Sequence, residues 1–113
     1  MSHFWINDKK VFYEDEGSGQ PILLLNGIMM STKSWAPFVD TFKANNRLIR
    51  VDFFDQGQTD KLIGESYTHQ IQVDLLKALF DHLKLEQASI VGISYGGEIA
   101  IQFAIKHKAL VNR

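Results

Sequence analysis

Apolar positions in this chain recur with two periods, and each predicts its own kind of element. Residues 3–6 and 10–14 partly alternate apolar with polar positions. Asn7-Asp8 between them is a turn signal, so the pair predicts a β-hairpin. Residues 17–21, Gly-Ser-Gly-Gln-Pro, predict a loop. Residues 22–25 are a continuous apolar run, the mark of a strand buried on both faces in a parallel sheet, and Asn26-Gly27 ends it. Ser31 or Thr32 can cap a helix to about residue 44, with Trp35, Phe38, Val39 and Phe42 at helical spacing. Residues 48–54 predict the next strand and 55–64 a polar loop. Ser66 or Thr68 caps a second helix to about residue 83, where Ile71, Leu75, Leu79 and Leu83 share a stripe flanked by Leu76 and Phe80. Residues 88–93 predict another strand. The nineteen residues after Ser94 read as one helix, with an amphipathic stretch at 98–105.

The order is therefore a β-hairpin followed by β-α-β-α-β-α. Such alternation predicts an α/β fold, a mostly parallel sheet with helices on both faces. Ligands in these sheets bind outside the carboxyl ends of the strands. Three loops leave those ends, at 26–30, 55–60 and 94–97.

The last of the three carries the sharpest signal. Gly92-Ile93-Ser94-Tyr95-Gly96 fits G-x-S-x-G, placed where a strand turns into a helix within two or three residues. That turn strains the serine backbone and projects its Oγ out of the sheet. Gly92 and Gly96, with Gly97 behind them, let strand and helix approach closely. The helix N-terminus beneath favours developing negative charge. An ordinary turn serine is the plainer reading, but the strand before it, the helix after it and the extra glycine argue against that.

Composition narrows the class. The chain has 113 residues, enough for a small core, and twelve basic against thirteen acidic side chains give a net charge of −1. Without a charge block, neither nucleic acid nor an anionic membrane is indicated. No apolar run approaches membrane-spanning length, and the first residues lack a signal-peptide pattern. The absence of Cys fits a reducing compartment, so a cytoplasmic location is expected. No residue cluster has metal-ligand spacing, and no cofactor is implied.

With these motifs in order, the chain resembles the α/β-hydrolase family. Residues 92–97 resemble its nucleophile elbow, and Asn26-Gly27, leading to Trp35, its His-Gly oxyanion loop. Residues 52–60 resemble its Asp-x-x-Gly-x-Gly-x-Ser loop. Asn26 stands where the family has His, and Asp55 where it has Gly. The resemblance implies a serine hydrolase that cleaves an ester, thioester or related acyl bond of a small molecule through an acyl-enzyme at Ser94. The backbone N–H groups of Tyr95 and Ile28 are the implied oxyanion donors, each worth about 2.7–4 kcal/mol to the transition state. Met29 and Met30 are pocket candidates. Trp35 is another, with core packing an equal alternative for it and for Phe53.

In this family the acid and the histidine follow the serine. The fold runs to roughly 200–250 residues. The expectation is thus a single domain over residues 1–113, the N-terminal half of that fold, weakly active or inactive by itself. His3, His69, His82 and His107 are expected to be surface or packing residues; His107 lies about 18 Å along the last helix at 1.5 Å per residue. Of these, His69 is the least implausible base. Asp60 is expected to cap or solvate a loop, and Asp74 to lie on the exposed flank of its helix. The alternative is a non-catalytic module that self-associates through a bare sheet edge at 88–93, making a homo-oligomer.

Overall fold

The computed structural model describes residues 2–61 and 68–113. In chain order the elements are β1 (Ser2–Ile6), β2 (Lys9–Gly17), β3 (Gln20–Leu25), α1 (Ala36–Lys43), β4 (Asn46–Val51), α2 (His69–Leu83), β5 (Ser89–Gly92) and α3 (Tyr95–Lys106). Short 3₁₀ helices cover Thr32–Trp35 and Lys108–Leu110. The strands form a five-stranded sheet in the order β1-β2-β4-β3-β5. The hairpin and the β2–β4 pair are antiparallel, whereas β3 runs parallel to both β4 and β5. This is the N-terminal portion of the α/β architecture that the alternating pattern predicts.

Alternation along the strands sorts the helices onto two faces. Leu23, Leu25, Ile49 and Val51 pack against Leu75, Leu79, Phe80, Ile99 and Phe103 of α2 and α3. Leu24 and Leu48 face the other way, onto Trp35 and Val39 beneath α1. Ser31 caps the 3₁₀ turn before α1 by accepting from the Lys33 N–H. Thr68 caps α2 by accepting from the Ile71 N–H at 3.2 Å, while Ser66 lies outside the described residues.

Strand boundaries differ from the sequence pattern where side chains pair across the sheet. Residues 15–17 also belong to β2, because that half of the strand lies beside β4 and Asp15 grips Arg47 at 2.6 Å. The predicted loop at 17–21 shrinks accordingly to Ser18-Gly19. β4 stops at Val51, since buried Asp52 turns inward to accept hydrogen bonds.

The C-terminal segment corrects two expectations. Residues after Ser94 are not one helix: α3 ends at Lys106, a 3₁₀ turn follows, and Val111 bridges to Ala88 in parallel. Nor is the outer edge of β5 bare throughout. The Ala88 N–H donates to the Leu110 carbonyl at 3.0 Å, the Asn112 N–H to the Ala88 carbonyl at 2.8 Å, and the Ile90 N–H to the Arg113 carbonyl at 2.8 Å. Edge groups take whatever strand-like backbone is in reach, and here Leu110 and Val111 also bury apolar surface against the core. Among the described residues no helix is long and apolar enough to cross a membrane.

Candidate active site

The sheet register builds the site. Leu25 pairs with Val51 on one side and with Gly92 on the other, so three strands end level. The segments that leave them converge at one end of the sheet, where open α/β sheets bind ligands.

Ser94 occupies the corner between β5 and α3, with φ 51° and ψ −111°. A non-glycine residue held there stores on the order of 1–3 kcal/mol. It persists because its surroundings leave no alternative. A Cβ on Gly92 would lie 2.5 Å from the Gly96 carbonyl oxygen, and one on Gly96 would strike the Leu25 carbonyl and come within 2.7 Å of that of Asn26. The elbow is therefore wedged against the end of β3. Gly97 is different, since a Cβ there would meet the Gly92 oxygen at an ordinary 3.4 Å. The Ser94 side chain is exposed.

Beside the elbow runs the loop after β3. Gly27 lies so close that a Cβ would be 3.2 Å from the Ile93 carbonyl oxygen. The Met30 N–H closes a turn onto the Gly27 carbonyl at 3.2 Å, with Met29 at φ 69°. Among the described residues neither the Ile28 nor the Tyr95 N–H donates a backbone hydrogen bond. An open cleft of about 560 Å³ lies here, lined among others by Ile28, Met29, Met30, Phe54, Gln72 and Tyr95. Trp35 is not in its wall. It is buried under α1, and its indole N–H donates to Asn26 Oδ1 at 2.7 Å, so packing wins over the pocket role expected as an alternative. Phe53 is likewise core.

A buried polar network underlies the loops. Asn26 Nδ2 donates to the Val51 carbonyl, Asp52 Oδ1 and Gln56 Oε1 at 3.0–3.1 Å. Asp52 also accepts from the Thr32 N–H at 2.8 Å and the Gln58 N–H at 3.1 Å. Burial pushes its carboxyl above the usual range, and these donors oppose the shift. Arg50 donates to the Thr32 carbonyl and to Glu16, tying the network to β2. Asp55, which stands where a glycine was expected, keeps a left-handed φ of 70°; Asp can adopt that conformation. Asp60 ties its loop down: its carboxylate accepts from the Lys10 N–H at 2.8 Å and braces the loop on β2. Asp74 is exposed as expected.

The histidines are engaged elsewhere. His3 meets Phe12 edge-on, His82 stacks on Phe4 and hydrogen-bonds the Tyr13 hydroxyl at 3.2 Å, and His107 leans on Phe103. His69 alone touches the elbow. Its ring lies 5.7 Å from that of Tyr95, with Gln102 at 3.0 Å and Glu98 at 3.7 Å. Tyr95 itself packs edge-on to Phe53, and burial raises its phenol. Among the described residues no group of three or more acidic, His or Cys side chains could hold a metal ion.

Comparison with known proteins agrees with this fold. The alpha/beta hydrolase fold profile matches residues 20–113. The chain belongs to the alpha/beta hydrolase family. It is 52% identical to MGS-M2, an alpha/beta hydrolase enzyme from a Medee basin deep-sea metagenome library, with a TM-score of 0.95 over 99% of this chain and 42% of that one. It is 36% identical over 101 residues to a Bacillus subtilis (strain 168) protein provisionally assigned as a 2-succinyl-6-hydroxy-2,4-cyclohexadiene-1-carboxylate synthase, covering 87% of this chain and 36% of the relative. It is 30% identical over 102 residues to the 2-hydroxymuconate semialdehyde hydrolase of Pseudomonas sp. (strain CF600), covering 88% and 36%. The chain thus spans about two fifths or less of these alpha/beta hydrolases.

Sequence reasoning placed the elbow and both neighbouring loops but passed over Asp52 and Gln56. One signal was available for the first: a carboxylate directly after the strand-forming segment Leu48–Val51, three of whose four residues are apolar, enters the interior and needs donors.

Proposed function

We propose that the protein is a serine hydrolase whose nucleophile is Ser94, acting on an ester, thioester or related acyl bond of a small molecule. One observation carries the reading: an exposed serine held at φ 51° on a strand-to-helix corner, at the head of α3. In the proposed step the Ser94 Oγ attacks the acyl carbon and its proton passes to a histidine supplied by the remainder of the fold, ordered by an acid after the serine in sequence; the bond to the alcohol or thiol then breaks, that leaving group takes the proton, and water hydrolyses the acyl-enzyme to the acid and free Ser94. The Tyr95 and Ile28 N–H groups would take the oxyanion, and Met29 and Met30 would flank the acyl group. The semialdehyde in the name of the Pseudomonas relative supports a small carbonyl-bearing substrate. A cytoplasmic site of action and a single domain over residues 1–113 belong to the same reading.

The test is turnover of p-nitrophenyl acetate by the protein carrying the whole fold, with labelling by a fluorophosphonate. Ser94→Ala is expected to abolish labelling and cut turnover by about 10⁴-fold or more. Retention of both would overturn the assignment. The 113-residue chain alone is expected to turn over this ester barely, since without a base the serine keeps its proton.

A second reading, self-association of the chain, is favoured by an exposed apolar strip. Val91 on β5, Ile93 just after it, and Ile101 and Ile105 on α3 are open to solvent, the last two at 64% and 77%.

A further inference from the structure

Gln56 stands where three segments of the site cross. Its Oε1 accepts from the Phe53 N–H at 3.2 Å and from Asn26 Nδ2 at 3.1 Å, and its Nε2 donates to the Gly27 carbonyl at 3.1 Å. Both ends of the amide are engaged, so its orientation is set. The Gly27 carbonyl and the Ile28 N–H belong to one peptide unit, and among the described residues no peptide bond is cis. In a planar trans unit these two groups point in opposite directions, so whatever aims the carbonyl aims the N–H.

The turn by itself is a poor anchor. It is closed by the Met30 N–H, passes through Met29 at a left-handed φ that β-carbon-bearing residues disfavour, and leaves the Met29 side chain 97% exposed. The Tyr95 N–H needs no such support, because α3 holds it. Among the described residues, Gln56 is the only side chain bonded to the Gly27 carbonyl.

We propose that Gln56 is a positioning residue: through the Gly27 carbonyl it sets the direction of the Ile28 N–H. The inference rests on the reading of Ile28 and Tyr95 as oxyanion donors, and extends it to a residue of the cleft wall that acts through the Gly27 carbonyl.

Gln56→Glu keeps an oxygen for Phe53 and Asn26 but turns a carboxylate oxygen on the Gly27 carbonyl. Gln56→Met is a neutral substitute of similar length. In the protein carrying the whole fold, both are expected to lower kcat for p-nitrophenyl acetate about 10-fold. That is less than the 10²–10³-fold for outright loss of a donor, and KM should stay within about twofold. The Ile28 amide resonance should move in both variants while that of Tyr95 stays, with the thermal midpoint unchanged. Loss of kcat without movement of Ile28, movement without loss, or loss in step with the thermal midpoint overturns the proposal. Ser94→Ala is measured alongside. If it retains turnover, the nucleophile reading falls separately, and the Ile28 resonance alone then decides: moved supports the positioning role, unmoved overturns it.

Discussion

Gly96 and Gly97 are neighbours with opposite structural demands. A Cβ on Gly96 would enter the carbonyls at the end of β3, which are backbone and cannot step aside. Gly96→Ala should therefore destabilise the chain by about 1–3 kcal/mol in urea unfolding. Gly97 sits in the first turn of α3 with ordinary space around it, so Gly97→Ala should be neutral or stabilising by up to about 1 kcal/mol. Equal effects at the two positions would show that the elbow is not wedged as described. The G-x-S-x-G pattern marked both glycines, but pattern alone could not rank them, because the Leu25 carbonyl is seventy-one residues away in sequence (96 − 25).

Glu16 joins three elements, taking Lys43 of α1 at 3.1 Å on one oxygen and Arg50 of β4 at 2.6 Å on the other. The Lys43 hydrogen bond, with that of Arg50, holds its carboxyl below the ordinary 4.5, against the opposing pull of burial. A folded pKa below the unfolded one gives stability that is present above the unfolded value and lost as pH falls through the folded one. The thermal midpoint should therefore fall more steeply below pH 4.5 in the wild-type chain than in Glu16→Gln. Parallel curves would show that the cluster adds nothing. Asp52 acts in the opposite sense, since burial raises its carboxyl and protonation favours the folded state. Helices and buried strands were legible because apolar period and caps are local; the polar half of β2 was not, because only its pairing with β4 makes it a strand.

As a whole, the chain leaves apolar surface uncovered on β5 and α3 while its own residues 110–113 shield the outer edge at 88–90. Removing Val111–Arg113 would free the Ala88 carbonyl and the Ile90 N–H for another strand. The 113-residue chain should sediment as a dimer or larger species at micromolar concentration, and the shortened chain as larger still. A clean monomer in both would sink the self-association reading and show that Ile101 and Ile105 recruit no partner.

The order of elements, the two-faced sheet, the corner at Ser94 and the loops beside it were determined by the sequence alone. Each is written in a local signal: a run of Ile and Leu, a helical stripe, a cap, glycines spaced for a tight turn. Tertiary structure alone decided what depends on groups distant in sequence. It brought Asn26, Asp52 and Gln56 into one network across three segments, turned Trp35 from the cleft into the core, and drew residues 110–113 onto β5. The period of a strand tells which side chains face inward, but register and hydrogen-bond partners are settled only when elements pack and every buried polar group must find its match.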